Sequence, residues 1–236
     1  MSGSLPISET FVSIQGEGKL TGVPSWFCRV SGCNLRCGWC DTPYASWEPE
    51  KTVRLVSELI GEAVASGVKH AVLTGGEPMM FAELAALSRG LGEAGMHITV
   101  ETAGTLVLSD LVCDLMSLSP KLANSTPIDD PRDPSGAWAK RHEERRLNFD
   151  SINELIASTR DRQLKFVVSN PGDLPEIESV LGNIRGYQST DVMLMPEGVT
   201  VPSPDNIAWV VDACVARGWS YCPRVHVQLF GDTRGT

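Results

Sequence analysis

Three closely spaced cysteines form the strongest chemical signal in the sequence. Cys33, Cys37 and Cys40 have the spacing CxxxCxxC, which places three thiolates on one tight loop directly after an expected strand. Three thiolates can ligate three irons of a cubane cluster and leave the fourth iron open to another ligand. Structural zinc prefers four ligands, commonly two cysteine pairs, and no second pair follows. The spacing favours an iron–sulfur cluster, and zinc held with Cys28 as fourth ligand is the alternative.

Polar and glycine-rich motifs also follow the later expected strands. The sequence TGGEP at residues 74–78 comes after the second strand, and its paired glycines let a ligand approach the backbone closely. Residues 101–105, 119–121 and 195–198 end three further strands. The carboxyl ends of parallel strands share one face, so these segments are expected to line one ligand site.

The elements that must position these motifs alternate between β-rich and helical runs. Strands are expected at residues 26–30, 70–74, 97–101, 113–119, 163–169, 191–195 and 221–228. Helices are expected at residues 52–67, 81–94 and 203–218, with a short helix capped by Ser109. Strands separated by helix-length connections indicate a parallel α/β fold. Because 236 residues do not quite suffice for an eightfold barrel, a partial (βα) barrel is predicted.

One segment interrupts this alternation. Residues 122–150 carry several prolines and a charge-dense run at residues 140–146, and they are too many for an ordinary connection. We predict a single domain over residues 1–236, with this segment as an inserted loop or lid.

Composition limits the functional class. With 42% hydrophobic residues the chain can fold into a globular core, and its net charge of −9 disfavours a general nucleic-acid binder. No stretch approaches the roughly 20 apolar residues of a membrane helix, and no export signal is visible, so a cytoplasmic location is expected. Seven cysteines then argue for metal or redox chemistry in the cluster rather than a disulfide framework. Cys28, Cys113, Cys214 and Cys222 are interpreted as small buried hydrophobic residues.

The cysteine spacing resembles the signature of the radical S-adenosylmethionine (SAM) enzymes. The sequence GGEP at residues 75–78 resembles the motif of that family that contacts the methionine part of SAM. The resemblance implies a [4Fe–4S] cluster held by Cys33, Cys37 and Cys40, with SAM on the open iron. It also implies that an electron from the cluster cleaves SAM and yields a 5′-deoxyadenosyl radical.

Further segments narrow the resemblance to one family. The sequences SIQGEG at residues 13–18, PSWFCR at 24–29, CDT at 40–42 and RVHVQLFGDTRG at 224–235 resemble the 7-carboxy-7-deazaguanine synthases. The resemblance spans nearly the whole chain. It implies conversion of 6-carboxy-5,6,7,8-tetrahydropterin to 7-carboxy-7-deazaguanine and ammonia by radical ring contraction, in the pathway to queuosine and related deazapurines.

The same resemblance implies roles for single residues, with no protein side chain as acid or base. The residues expected to contact SAM are Gly76, Glu77, Ser119, Pro120 and Lys121. Thr42 matches the hydroxyl ligand of a Mg²⁺ ion. The residues expected to hold the substrate are Ile14, Gln15, Gly16, Glu17, Arg29, Thr74, Glu101 and His226. At Ala103 the chain departs from the asparagine that is frequent in the family.

The resemblance also implies partners, and two other functions compete with it. A homodimer and a one-electron donor such as a flavodoxin or ferredoxin are expected, with no nucleic-acid or membrane partner. A glycyl-radical activating enzyme would share the cysteine loop but would not need the QGEG segment. A zinc-stabilised binding module, the alternative from another class, would be colourless and would need a fourth ligand.

Overall fold

An open and mostly parallel sheet forms the centre of the computed structural model, which describes residues 3–50 and 52–236. Its strands are β1 (Ser4–Ile14), β2 (Pro24–Val30), β3 (Thr52–Leu55), β4 (His70–Gly75), β5 (His97–Thr102), β6 (Leu115–Leu118), β7 (Asp161–Val168), β8 (Val192–Pro196) and β9 (Ser220–Tyr221). The helices are α1 (Pro43–Ser46), α2 (Val56–Ala65), α3 (Glu83–Glu93), α4 (Ala137–Arg145), α5 (Phe149–Ser158), α6 (Leu174–Gly182), α7 (Pro204–Arg217) and α8 (Val225–Phe230).

The strand order explains how the sheet gathers the motifs on one side. In the described residues it is β3-β1-β2-β4-β5-β6-β7-β8-β9. From β2 to β9 each neighbouring pair is parallel, whereas β1 is antiparallel to both β2 and β3. The end strands β3 and β9 do not pair with each other, so the sheet stays open. The predicted partial (βα) barrel is confirmed.

The helices cover the sheet with apolar faces that their sequences dictate. Helix α2 buries Val56, Leu59 and Ala63 at intervals of three and four residues, which places them on one side of the helix. Ser203 caps α7 by accepting a hydrogen bond from the Asn206 amide. None of the helices within the two described ranges combines the length and the apolar character that a membrane crossing requires.

Two predicted elements at the edges of the sheet are wrong. The helix expected from Thr52 begins only at Val56, because residues 52–55 form β3 against β1, a strand that the sequence reading missed. The strand expected at residues 221–228 stops at Tyr221 and gives way to α8. Alternation of Val225 and Val227 favoured a strand, yet only Val227 is buried in the short helix.

Two further connections differ from expectation. The chain at Ser109 forms a turn and no helix, and Asp110 there has a positive φ of 59°. Residues 122–150 contain a 3-10 turn and α4, and α4 packs on the cysteine loop (residues 31–42). The Arg36 amide donates to Nδ1 of the fully buried His142 over 3.1 Å, and burial lowers the pKa of His142 to about 4. The role of the segment as an inserted lid stays a prediction.

Candidate active site

A cavity of about 470 Å³ opens at the carboxyl ends of the parallel strands. It brings together most of the residues that the sequence singled out, although they come from the whole length of the chain. The predicted residues that line it are Ile14, Gln15, Gly16, Glu17, Arg29, Cys33, Cys37, Cys40, Thr42, Thr74, Gly76, Glu101, Ser119, Lys121 and His226. Glu77 and Pro120 do not line it.

The three clustered cysteines face this cavity as free thiols. Burial and the neighbouring thiols raise the pKa of both Cys33, to about 12, and Cys37. Donors nonetheless surround the sulfur atoms: the Leu35 amide lies 3.4 Å from Cys33 Sγ, and the Ser46 hydroxyl lies 3.1 Å from Cys40 Sγ. A buried thiol triad with adjacent donors suits thiolates that a metal cluster neutralises, and the donor set therefore fits an iron–sulfur cluster.

Cys28, the fourth ligand that a zinc site would need, does not line the cavity with the other three cysteines. Cys28 is fully buried in the apolar core among Trp26, Val30 and Leu73, and burial raises its pKa to about 12. Its neighbour Arg29 points into the cavity, because alternate residues of a strand face opposite sides. Among residues 3–50 and 52–236, no group of three or more His, Cys, Asp or Glu side chains is arranged to hold a single metal ion.

The glycine turn after β4 packs tightly against the cysteine loop. A Cβ atom on Gly76 would lie 2.0 Å from the Gly32 carbonyl oxygen, so a side chain cannot be accommodated there. The next residue, Glu77, is fully buried, and burial raises its pKa. Its carboxyl group accepts hydrogen bonds from Thr102 Oγ1 (2.7 Å), the Ala103 amide (2.9 Å) and the Met79 amide (3.0 Å). Through these hydrogen bonds Glu77 stabilises the cavity wall from its buried side.

A set of charged side chains that we call the buried network lies at the substrate side of the cavity; its members are Glu17, Glu101, Lys165 and Arg224, and Arg224 connects it to the exposed Asp41. Lys165 Nζ contacts Glu17 Oε2 at 2.8 Å and Glu101 Oε1 at 3.3 Å. Arg224 Nε contacts Glu17 Oε1 at 3.1 Å, and its other end pairs with Asp41. Burial pushes the pKa of Glu17 upward, but the charges of Lys165 and Arg224 hold it well below its usual range.

A second set, the rim network, surrounds the predicted substrate arginine and consists of Glu9, Arg29, Tyr44, Glu50 and Arg234. Glu9 Oε1 accepts from Arg29 Nε and from the Tyr44 hydroxyl, both at 2.7 Å. Arg234 donates to Glu9 Oε2 at 3.1 Å and to Glu50, and its guanidinium group lies 4.1 Å from the centre of the Tyr44 ring. Residues 231–236 thereby form part of the cavity wall.

The sequence reading missed several of these contributors. Lys165, Asp41, Glu9 and Arg234 were not among the expected site residues, and Arg224 was noted only within a motif. A lysine in an otherwise apolar strand is the one signal that could have identified Lys165. His226 lines the cavity but was expected on a strand; it lies on α8, and a Cβ atom on Gly16 would clash with its ring. Burial lowers the pKa of His226.

Comparison with known proteins agrees with this geometry. The radical SAM superfamily matches residues 28–171. The chain is 49% identical to the 7-carboxy-7-deazaguanine synthase of Rhodopirellula baltica, over 99% of this chain and 89% of that protein. It is 46% identical to the enzyme of that name from Halobacterium salinarum, over 99% of this chain and 93% of that protein.

A solved structure supports the fold independently. The crystal structure of QueE from Escherichia coli superposes with a TM-score of 0.69 at 24% identity, covering 94% of this chain and 95% of that one. Superfamily membership implies a [4Fe–4S] cluster and SAM as cofactors, and the matches favour neither a zinc-stabilised module nor a glycyl-radical activating enzyme. The chain is a radical SAM enzyme and belongs to the family of 7-carboxy-7-deazaguanine synthases.

Proposed function

We propose that this enzyme converts 6-carboxy-5,6,7,8-tetrahydropterin into 7-carboxy-7-deazaguanine and ammonia, a step towards queuosine and related deazapurines. The observation that carries the proposal is one cavity whose wall joins three free thiols to carboxylate, amide and guanidinium groups. Product and ammonia together contain all the atoms of the substrate, so the reaction consumes no external oxidant. The names of the relatives from Rhodopirellula baltica and Halobacterium salinarum support the same product.

The cofactor side of the cavity is assigned from its residues. Cys33, Cys37 and Cys40 would hold the [4Fe–4S] cluster, and Gly76, Ser119 and Lys121 would contact SAM beside it. Glu77 and Pro120, which do not line the cavity, would shape the SAM site from behind. When bound, cluster and SAM supply a carbon-centred radical by one-electron chemistry, and no protein side chain is assigned as acid or base.

The carboxylate of the substrate is assigned to the rim of the cavity. Arg29 offers a guanidinium group, which binds carboxylates through short charge-assisted hydrogen bonds. In the structure its Nε atom donates to Glu9, an internal carboxylate at the place where a substrate carboxylate would arrive. The Thr42 hydroxyl is proposed as one ligand of a Mg²⁺ ion, whose other oxygen ligands would be the substrate and water.

The heterocycle of the substrate is assigned to the deeper part of the cavity. A pterin ring exposes N–H donors along one edge, and Glu17 and Glu101 present carboxylate acceptors there. Gln15 and Thr74 adjoin Glu101, and His226 lies beside Gly16. Ile14 and Gly16 would complete this wall with backbone groups.

The electron donor and the homodimer are proposed from family resemblance, whereas the location and the absence of nucleic-acid or membrane partners are predicted from composition. We propose a one-electron donor such as a flavodoxin or ferredoxin, because the radical chemistry consumes a reducing electron at its start. A homodimer, a cytoplasmic location and the absence of a nucleic-acid or membrane partner stay predictions. Size-exclusion chromatography with light scattering would test the homodimer directly.

The decisive experiment is an anaerobic assay of the reconstituted enzyme. The protein is loaded with iron and sulfide and mixed with reductant, SAM, Mg²⁺ and 6-carboxytetrahydropterin, and products are followed by mass spectrometry. Formation of 7-carboxy-7-deazaguanine supports the proposal. Cleavage of SAM to 5′-deoxyadenosine without that product would contradict the assigned substrate.

The cluster ligands are tested by mutation. Cys37→Ala should lose both the iron–sulfur absorbance and SAM cleavage, whereas the matched control Cys113→Ser, outside the cavity, should keep both.

A further inference from the structure

Lys165 is the most deeply buried charged group of the buried network and has no role in the function proposed above. Only 3% of the residue is exposed, and it lies on β7 between β6 and β8. Its ammonium group reaches two carboxylates whose sequence positions are 148 and 64 residues away. Burial alone would lower the pKa of Lys165, but Glu101 and Glu17 together raise it above its usual range. The group is therefore a fixed positive charge between two fixed negative charges.

The sheet leaves room for this long side chain to cross a neighbouring strand. Glu101 on β5 pairs with Ser117 on β6, and Ser117 pairs with Gln163 on β7. Lys165 lies two residues beyond Gln163 and hence on the same face. The side chain of Ser117 is small and fully buried, so Lys165 can extend past it to Glu101. The contact between Lys165 and Glu101 therefore depends on the order of the strands and not on any local sequence motif.

Gln15 supplies a second link between the same two residues, joining the Glu101 carboxylate to the backbone of Glu17. Its Nε2 atom donates to Glu101 Oε1 at 3.3 Å, and its Oε1 atom accepts from the Glu17 amide at 3.2 Å. The Thr74 hydroxyl also donates to Glu101 Oε2 at 3.2 Å. A carboxylate has about four acceptor positions, so both Glu17 and Glu101 retain unused positions after these contacts. Both residues line the cavity, where those positions can receive donors from a ligand.

A contribution to folding stability does not by itself explain why Lys165 is buried between Glu17 and Glu101. Replacing a buried ion pair with apolar residues of similar volume is often neutral or stabilising, because desolvation offsets the attraction between the charges. A charge pair that also faces a cavity, however, keeps its carboxylate oxygens in fixed positions for a bound molecule. The geometry at Lys165 fits this second purpose.

We propose that Lys165 is a positioning residue for substrate binding: it holds the carboxylate groups of Glu17 and Glu101 at a fixed separation and orientation, so that both accept N–H groups of the heterocycle. The proposal rests on the function proposed above, because it presumes a substrate with N–H donors along one edge. Lys165 acts through the two glutamates and does not itself have to touch the substrate.

The test compares binding by the cluster-loaded enzyme, with SAM present and reductant left out so that no turnover occurs. Lys165→Met should weaken binding of 6-carboxytetrahydropterin about 30-fold, because both glutamates lose the cation that orients them, while SAM affinity and cluster absorbance stay within about twofold. The matched control is Lys19→Met. Lys19 also contacts two carboxylates, Asp161 and Asp191 at 2.7 and 2.9 Å, but lies outside the cavity, so its loss should leave pterin binding unchanged.

A double-mutant cycle separates positioning from a general structural effect. If Lys165 acts through Glu17, then Lys165→Met added to Glu17→Gln should weaken pterin binding by much less than it does in the wild-type background. Lys165→Arg, which keeps the charge, should bind the pterin more tightly than Lys165→Met. If Lys165→Met does not hold its cluster, Lys165→Gln serves in the same measurement with the same criteria.

The outcomes distinguish the two proposals. Pterin affinity within twofold of wild type in Lys165→Met, or fully additive effects in the cycle, would overturn the role of Lys165 alone. Failure of the wild-type enzyme to bind the pterin would instead overturn the assigned substrate, and with it the reason for two acceptors at this position.

Discussion

Two charged networks border the same cavity with the same kinds of side chain, yet only the rim network extends into water. In the buried network the side chains of Lys165 and Glu17 are 4% and 14% exposed. In the rim network Arg29 and Glu9 are similarly buried, at 17% and 11%, but Arg234 and Glu50 are 42% and 47% exposed. Both networks contain carboxylates shared between two cations, so geometry alone does not separate them.

The partners that each network would keep indicate which contacts a substrate can replace. A substrate carboxylate at Arg29 would replace Glu9 with another anion, so the guanidinium group keeps a charged partner, although Arg29 and Glu9 are only 17% and 11% exposed. Glu9 would still retain Tyr44 and Arg234 after such an exchange. In the buried network, losing a partner leaves a charge without solvent, which is strongly unfavourable. We therefore expect an exchangeable rim and a fixed interior.

The largest expected effect is on folding stability when the buried network loses a cation. Arg224→Met removes one of the two cations that contact Glu17, which keeps Lys165, and should lower the free energy of unfolding by about 2 kcal/mol, or the Tm by roughly 6 °C. Thermal unfolding followed by circular dichroism measures the change. Arg217→Met is the control, because Arg217 pairs with Glu178 on the surface and should lose less than about 1 kcal/mol. Equal losses in both variants would remove the distinction between the networks.

The next effect concerns affinity at the rim. Arg29→Ala should weaken binding of 6-carboxytetrahydropterin by about 10- to 100-fold through loss of a charge-assisted contact, while the cluster absorbance is retained. Titration calorimetry of the cluster-loaded enzyme without reductant gives the dissociation constant. The control Arg54→Ala removes another arginine–glutamate pair, to Glu62 at 2.8 Å, outside the cavity. An affinity for the pterin that is unchanged in Arg29→Ala would take this residue out of the binding site.

A smaller effect on the KM for the pterin is expected at Arg234, which contacts Glu9 rather than the substrate. Arg234→Gln should raise the KM for the pterin by no more than about fivefold, because an exposed ion pair contributes about 1 kcal/mol or less. Steady-state kinetics at low and high salt checks the origin of the effect: the difference from wild type should shrink as salt screens the contact. A salt-independent loss of more than about 30-fold would mean that Arg234 behaves like a member of the buried network.

The smallest effect is expected when the pH changes within the neutral range, because the stabilisation by Glu17 and Lys165 should hardly change there. The pKa of Glu17 lies below its usual 4.5, so the stability that its charge provides is complete above about pH 4.5 and is lost as the pH falls further. The pKa of Lys165 lies above its usual 10.5, so its contribution is complete below that pH and is lost as the pH rises through the raised value. The difference in Tm between wild type and Glu17→Gln should therefore stay constant from about pH 5 to pH 9. A halving of that difference within this window would show that Glu17 titrates there.

Sequence reasoning succeeded where the chemistry is local. The spacing of Cys33, Cys37 and Cys40 requires only one loop, and their common position in the cavity follows from the strand that precedes it. The tight turn at Gly76 was likewise recognisable, because a close backbone approach needs glycine. The same reasoning placed Glu77 in contact with SAM, whereas the fold directs its carboxyl group into the wall.

Errors arose where a side chain or a strand depends on distant partners. The run from Thr52 suits a helix on its own pattern, and only pairing with β1 makes its first residues a strand. The apolar neighbours Leu164 and Phe166 indicate that Lys165 is buried, but nothing in the sequence identifies its partners. Its two carboxylate partners are brought to it by the order β5-β6-β7.

The sequence by itself determined the fold class, the cysteine loop and the family resemblance, because each is encoded in short segments or in the alternation of strands and helices. Only the tertiary structure decided which charges are buried together, since Glu17, Glu101, Lys165 and Arg224 come from four separate parts of the chain. The physical reason is that the effect of a charge depends on its solvent and its neighbours. Both are set when the sheet assembles and not by the residue itself.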